Sequence, residues 1–422
     1  MAVSENELVG LLKVCLDHTG LPLPGPIGPL FLLHSRGDRS FSLVDEGVTA
    51  YYTIVGHLLA ERQISDRYSK EAVEQKLDVV LMDLGDLGEP PLAEAALRAS
   101  VDQLLASFEE DLPERQYFLG IANLRMEDRL ELGPVTIHPL TQEKYQALVQ
   151  HTDSIIDPNP HYTDSEKATQ KHDVKAFFKR WTGHALAEIT SSADERRGVE
   201  LSRRFLEEAL HVLRFLGGFA YAEKDAAWIG EVGEIHGGTR QVLVLGEGVF
   251  ARHLSRTGPM SPFQLDSKLR TELESVGLLE LQEILEKDVP QRTDLQKALL
   301  NAVVWISRAQ SDDSTEGRFV KLCIGMESIL LEKGKYPKGK TMANRLASLL
   351  SKSPGDRKRI FKRGKDIYDI RNDIVHEGFS ARAEGYLPIA RHYALQSTST
   401  ALTQYQAQKW TTVVDVADWL DR

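Results

Sequence analysis

The most informative segment of the chain is Asp366-Ile367-Tyr368-Asp369-Ile370-Arg371-Asn372-Asp373-Ile374-Val375-His376-Glu377-Gly378. Successive residues of an α-helix advance by about 100°. A helix from about residue 356 therefore gathers the apolar side chains in one sector: Ile360, Phe361, Ile367, Tyr368, Ile370, Ile374 and Val375. Arg371 lies near the centre of that sector. Because a buried arginine is unfavourable unless it is paired or faces an interface, this position indicates a site.

A partner for Arg371 is predicted on the preceding helix, over residues 314–333. The buried face of that helix is formed by apolar side chains: Phe319, Val320, Cys323, Met326, Ile329 and Leu330. Glu327 falls within this face, so we expect it to form an ion pair with Arg371, whose planar guanidinium suits a carboxylate. A purely structural ion pair is the alternative reading of the same two residues.

His376 lies near the predicted end of the Arg371 helix. Gly378 is the expected C′ residue, which places His376 in the last turn, where the negative end of the helix favours an imidazolium. Asn372 precedes His376 by four residues, so the two are neighbours on the helix surface. An imidazole can transfer protons while an arginine holds a phosphate. Arg371, Asn372 and His376 are therefore the candidate catalytic residues, with Glu327 in a supporting role.

These residues resemble a known family. Residues 370–378 resemble the Arg-Asn-x-x-x-His signature of HEPN domains, particularly the Apea-like group, and residues 318–330 resemble the glutamate-bearing helix of that group. The resemblance extends from about Thr293 to the C-terminus. It implies a helical bundle that forms a homodimer through its motif-bearing helices, so that two Arg371/His376 sets meet across a two-fold axis.

The resemblance also implies an activity, namely metal-independent cleavage of RNA by a toxin-like effector of antiviral defence or abortive infection. In that reaction the ribose 2′-hydroxyl attacks the adjacent phosphorus and leaves a 2′,3′-cyclic phosphate. His376 would act as general base or acid, and Arg371 would stabilise charge on the phosphoryl oxygens. Asn372 would orient His376 or the phosphate. Neither a metal nor a cofactor is expected.

A basic segment begins at the end of the first predicted site helix and extends into the second. From Lys333 to Lys365 the chain has twelve lysines and arginines and a single acidic residue, Asp356, although its overall net charge is −11. We expect this segment to bind the RNA backbone, with an affinity that depends on salt. The residues assigned to this role are Lys338, Lys340, Arg357, Lys358, Arg359, Lys362, Arg363 and Lys365.

Composition excludes several other classes of protein. The two cysteines, Cys15 and Cys323, cannot form a four-thiolate zinc site, and both lie in apolar helical patterns that predict burial. No run approaches the roughly 18 apolar residues of a membrane span. The first twenty residues lack a cationic start, so no signal peptide is expected. We therefore expect no membrane association and a cytoplasmic location. Residues 242–251 mimic a dinucleotide-binding fingerprint, but prolines soon after them argue against the required helix.

The pattern along the chain predicts an α+β protein that is predominantly α. Residues 1–285 form a mixed α/β N-terminal part, with a sub-division near residue 112, and residues 290–422 form an all-α, HEPN-type helical domain. The boundary is placed in the polar stretch 286–293. Within the N-terminal part, residues 130–138 are expected to form one strand, and residues 229–235 and 241–245 a hairpin.

Three functions remain open at this point. The first is an RNA-cleaving effector whose N-terminal part senses a trigger ligand or a partner protein. The second is a non-catalytic HEPN module in which Arg371 and Glu327 are architectural. The third is a regulator that binds a nucleotide or another small molecule in a cleft between the two parts. The Arg371, Asn372 and His376 set and the basic segment favour the first.

Overall fold

The structure is a computed structural model that describes residues 4–19, 31–36, 39–86, 93–220, 229–231, 238–246, 249–257, 262–334 and 337–422. It is mostly helical with a smaller strand content, which confirms the α+β, predominantly α class. The chain forms two compact units: Met1–Tyr117 with Thr190–Ser202, and Phe118–Ile189 with Arg203–Arg422. No helix within the described ranges is both long and apolar enough to cross a membrane.

The first unit is built mainly from helices. Its elements are α1 (Glu5–Asp17), β1 (Phe31–Arg36), β2 (Arg39–Val44), α2 (Glu46–Ala60), α3 (Arg62–Ser65), α4 (Lys70–Asp86) and α5 (Glu94–Ala106). The two strands pair as an antiparallel hairpin. Leu12, Tyr51, Ile54 and Leu77 are fully buried in the core of this unit, and Cys15 is buried with them as predicted.

A five-stranded sheet has the strand order β5-β6-β7-β3-β8. Its members are β3 (Arg115–Ala122), β5 (Leu130–Leu132), β6 (Val135–Pro139), β7 (Ala185–Ser191) and β8 (Gly230–Glu231), and β4 (Leu124–Met126) pairs separately with β11 (Phe263–Leu265). The single strand predicted over residues 130–138 is instead a tight hairpin. It turns at Gly133, whose φ of 59° is a conformation that glycine adopts without strain.

The hairpin predicted from residues 229–235 and 241–245 was wrong in its pairing where the structure describes it, and residues 232–235 lie outside the described residues. Residues 241–245 belong to β9 (Gly238–Gly246), which pairs with β10 (Val249–Thr257), whereas β8 pairs with β3. The strands β9 and β10 are neighbours in the sequence and pair antiparallel, and alternating apolar residues alone could not distinguish these partners. Of the residues that mimic the dinucleotide fingerprint, 242–246 lie in β9 and 249–251 in β10, and residues 247 and 248 lie outside the described residues.

Long helices complete the second unit. They are α6 (Gln142–Ile156), α7 (Asp164–Trp181), α8 (Glu195–Ala220, which begins in the first unit), α9 (Ser267–Glu274), α10 (Leu278–Glu286), α11 (Asp294–Ser311), α12 (Thr315–Leu330), α13 (Lys338–Leu350), α14 (Pro354–Glu377), α15 (Ala383–Tyr405) and α16 (Val413–Leu420). Capping side chains mark the first residues of several helices. The Thr293 side chain accepts a hydrogen bond from the backbone N–H of Gln296 at the start of α11, and the Ser314 side chain accepts one from the backbone N–H of Gly317 at the start of α12.

The predicted boundary at residues 286–293 lies within the second unit. Leu285 and Leu295, on either side of it, belong to one continuous hydrophobic core that also includes strand residues such as Val135 and Ile137. Arg292 closes this corner, because its Nε donates to the carbonyl oxygens of Ile284 (3.1 Å) and Lys287 (3.0 Å). The polar stretch is therefore a packed corner rather than a solvated linker.

Candidate functional site

The Arg371 side chain points from α14 towards α12. Its Nε lies 3.4 Å from Oε1 of Glu327, the contact expected from the two helical patterns, and the side chains are 23% and 19% exposed. The apolar residues predicted around Arg371 are mostly buried, including Ile367, Ile370 and Ile374. Cys323, one turn before Glu327, is fully buried, and burial raises the pKa of its thiol.

The ion pair between Arg371 and Glu327 is incomplete. Neither the Arg371 Nε nor the Glu327 Oε1 has a hydrogen-bond partner among the described residues, although both atoms are buried. Burial raises the pKa of Glu327, and the charges of Arg371 and Lys338 only partly oppose that effect. Buried polar atoms are almost always hydrogen-bonded in native proteins, so this pair departs from a fully satisfied structural ion pair.

His376 and Asn372 occupy a different face of α14. His376 is exposed and lies in the last turn, and Gly378 caps the helix with a φ of 80° and a backbone N–H that donates to the Ile374 carbonyl, as predicted. The Asn372 Oδ1 accepts a hydrogen bond of 3.4 Å from Nη1 of Arg371. His376 lies five positions after Arg371 on the helix, which turns their side chains about 140° apart. One chain therefore does not direct both groups at a single point.

The end of α14 is held in place by the residues that follow it. Tyr386 donates to Asp366 (3.1 Å), and Arg382 pairs with Asp373 (3.3 Å). Two apolar side chains beside His376 are nevertheless exposed, Val375 by 50% and Phe379 by 61%. Val375 was expected within the buried sector, and this expectation was wrong because Val375 lies at the edge of that sector, where no described element covers it.

The basic residues assigned to RNA binding are all exposed. Two of them also interact with neighbouring residues: Arg357 donates a hydrogen bond to the Ser351 carbonyl, and Arg359 forms an ion pair with Asp356. On the continuous helix α14, spacings of four and three residues place one series on a single face: Lys358, Lys362, Lys365, Asp369, Asn372 and His376. We call this series the basic stripe. It runs for about 27 Å along the helix and ends at the histidine.

One cation of the basic segment serves another purpose. Arg345 on α13 is 4% exposed and binds Asp421 (Nη2 to Oδ2, 2.7 Å) and Glu332, as well as the Leu330 carbonyl (2.9 Å). The hydrogen bond from Arg345 lowers the pKa of Glu332. Arg345 is thus a structural cation, and the free positive charge of the segment is smaller than its composition suggests.

A second buried polar cluster was not foreseen from the sequence. His211 on α8 is 4% exposed, with Nδ1 2.9 Å from Oγ of Ser307 and Nε2 3.4 Å from Oε1 of Glu207. Because Ser307 is fully buried, a substrate cannot reach its hydroxyl, and the cluster is structural. Its only sequence signal was a histidine on the apolar face of an amphipathic helix. The described residues contain no group of three or more His, Cys, Asp or Glu arranged to hold a metal ion.

Comparison with protein-family models, with curated proteins and with solved structures finds no match to this chain.

Proposed function

We propose that the chain is a HEPN-type endoribonuclease that cleaves RNA through attack of the 2′-hydroxyl, without a metal. The observation that carries this proposal is the half-buried Arg371, whose Nε has no hydrogen-bond partner among the described residues, on the same helix as an exposed His376. Structural ion pairs normally have their hydrogen bonds satisfied, and the planar guanidinium of an arginine can donate several hydrogen bonds to a phosphate. The basic stripe leads along the same helix to His376.

The chemistry assigned to each residue follows from its position. Arg371 would donate to the phosphoryl oxygens as negative charge develops there. His376, exposed at the helix end, would take the proton of the 2′-hydroxyl or return one to the leaving 5′-oxygen. Asn372, four residues from His376 and bonded to Arg371, would position both groups. The need for a 2′-hydroxyl makes DNA a non-cleavable control.

A homodimer through α14 is part of the proposal. Within one chain Arg371 and His376 point about 140° apart, so a second chain would have to supply the complementary group. The exposed side chains of Val375 and Phe379 flank His376 and provide apolar surface for such a contact. The proposed effector would act in the cytoplasm and in antiviral defence, with its N-terminal part, residues 1–285, responding to a trigger.

Expression in a bacterial host gives the first test, because toxicity requires no knowledge of the RNA substrate. Wild type should arrest growth, and His376→Ala should abolish the arrest without lowering the amount of folded protein. His392→Ala is the matched control, since His392 is also exposed on a helix of the second unit. Purified wild type should then cleave single-stranded RNA in the presence of a chelator. Equal cleavage by wild type and His376→Ala would refute the assignment.

A non-catalytic HEPN module is the second candidate, and the contact between Arg371 and Glu327 within one chain favours it. In that case His376→Ala would have no effect on RNA, and Arg371→Ala would only lower stability, because it leaves Glu327 buried without its cation. Arg371→Lys separates the two readings. Lysine keeps the charge beside Glu327 but lacks the planar set of donors, so it should preserve the fold and lose catalysis.

A further inference from the structure

The second unit contains a cavity of about 420 Å³ beside the basic segment. We propose that this cavity binds a guanine base of the RNA strand that the proposed nuclease would cleave, and this inference rests on the proposed function. The residues that carry the argument are Glu332, Lys340, Asn344, Arg345, Phe361 and Asp421, all of which line the cavity. They come from α13, α14 and the segments that follow α12 and α16.

Two carboxylates bound to one guanidinium contribute a net charge of −1 to the cavity. Arg345 binds Glu332 and both oxygens of Asp421, with Nε 3.1 Å from Oδ1 and Nη2 2.7 Å from Oδ2. Each carboxylate oxygen can accept more than one hydrogen bond, and the side chains of Glu332 and Asp421 remain 28% and 45% exposed. This arrangement favours a neutral ligand edge with N–H donors, and guanine presents two adjacent donors at N1 and N2.

The remaining lining residues suit the other parts of a guanine nucleotide. Phe361 is half-buried on α14 and offers an aromatic ring against which a base can stack. The Asn344 amide, exposed on α13, can donate to the O6 acceptor of guanine. Lys340 is exposed in the first turn of α13, which has no acidic residue, so its charge and the helix end both favour a phosphate there.

The cavity lies beside the proposed catalytic helix, which contributes Phe361 to its lining. A methyl group at Gly339 would lie 2.6 Å from Cδ1 of Tyr368, so the first turn of α13 rests directly on that ring. The guanidinium carbon of Arg371 lies 5.7 Å from the centre of the same ring. Phe361 precedes Arg371 by ten residues, about 15 Å along α14. A short oligonucleotide can therefore reach from the cavity to Arg371.

Binding of 5′-mononucleotides to the full-length chain tests this assignment without requiring cleavage. Isothermal titration should show GMP binding about tenfold more tightly than AMP, CMP or UMP, a difference typical of one well-placed bidentate contact. Asn344→Ala and Phe361→Leu should each weaken GMP binding about tenfold and reduce the preference among bases. Lys340→Ala should weaken all four nucleotides alike. Lys352→Ala is the matched control, because Lys352 is exposed in the same basic segment but does not line the cavity.

The inference is overturned if GMP binds no more tightly than the other nucleotides, or if Lys352→Ala weakens binding as much as Lys340→Ala. Asn344→Ala keeps the test decisive should Phe361→Leu fail to fold, since Asn344 is an exposed side chain. The two proposals fail separately. If the chain binds GMP selectively but its His376→Ala variant behaves like wild type, the guanine-binding proposal stands and the nuclease proposal is refuted. If the chain cleaves RNA, shows no selectivity for GMP and is unaffected by Asn344→Ala, only the guanine-binding proposal is refuted.

Discussion

The buried His211 should make the second unit sensitive to mild acid. Burial lowers the pKa of His211 to about 4 from an ordinary value of 6.5; Arg214 and Arg308 act in the same direction, and Glu207 opposes them. The neutral ring with its proton on Nε2 satisfies both neighbours, since Nε2–H then donates to Glu207 and Nδ1 accepts from Ser307.

The sign and size of the effect follow from linkage. Because the folded state holds the lower pKa, the stability contributed by neutral His211 is fully present above pH 6.5 and is lost as the pH falls towards 4. One pKa unit corresponds to about 1.36 kcal/mol, so the 1.5 units between 6.5 and pH 5 remove about 2 kcal/mol from the free energy of unfolding.

Replacement of His211 by asparagine separates the effect of histidine protonation on stability from other effects of pH. In His211→Asn the side-chain amide takes the place of Nδ1 beside Ser307 but does not titrate. The variant should be less stable than wild type at pH 7, and the difference should shrink by about 2 kcal/mol at pH 5. Hydrogen exchange of amides in α8 and α11 measures opening of the unit that contains His211. His392→Asn, at an exposed site, should follow wild type. If the free energy of unfolding falls by the same amount in wild type and His211→Asn between pH 7 and pH 5, the assignment of this effect to His211 is refuted.

Three further perturbations test other parts of the second unit. Glu327→Gln should gain stability relative to wild type as the pH rises from 4 to 7 in urea titrations, because the raised pKa of Glu327 makes its ionised form unfavourable in the folded state. Gly339→Ala should lower the free energy of unfolding by about 1–2 kcal/mol, because the clash with Tyr368 outweighs the better helix propensity of alanine; an unchanged melting temperature would contradict the close packing. Arg345→Met should destabilise by about 2 kcal/mol and expose α16 to proteolysis, and equal resistance to protease would argue against its structural role.

Local patterns in the sequence predicted the C-terminal helices well. The expected helix over residues 314–333 is α12 (Thr315–Leu330), and that over 356–377 is α14 (Pro354–Glu377). Apolar spacing and capping residues are local features of the sequence, so these helices could be predicted without the structure. The contact between Glu327 and Arg371 was also predictable, because each charge interrupts a buried face and no simpler arrangement pairs them.

Features that depend on distant partners were not predictable in this way. Arg345 looked like another member of the basic segment, since Asp421, which binds it, lies 76 residues further along the chain. The helices α9 and α10 are separated at Gly277, which has a φ of 116°, and a Cβ at this position would lie 3.1 Å from Cδ1 of Leu402, on the distant helix α15. In the same way, only the arrangement of α13 beside α14 creates the cavity around Phe361.

The basic stripe has a consequence for how this region can vary. Lys358 and His376 are 18 residues apart, which is five complete helical turns, so they share one azimuth. A single inserted or deleted residue between Lys365 and Asp369 would rotate the lysines by about 100° relative to the histidine. The number of charged side chains on the helix would not change. Exchanges between lysine and arginine should therefore be tolerated within the basic stripe, whereas changes in the length of the helix should not.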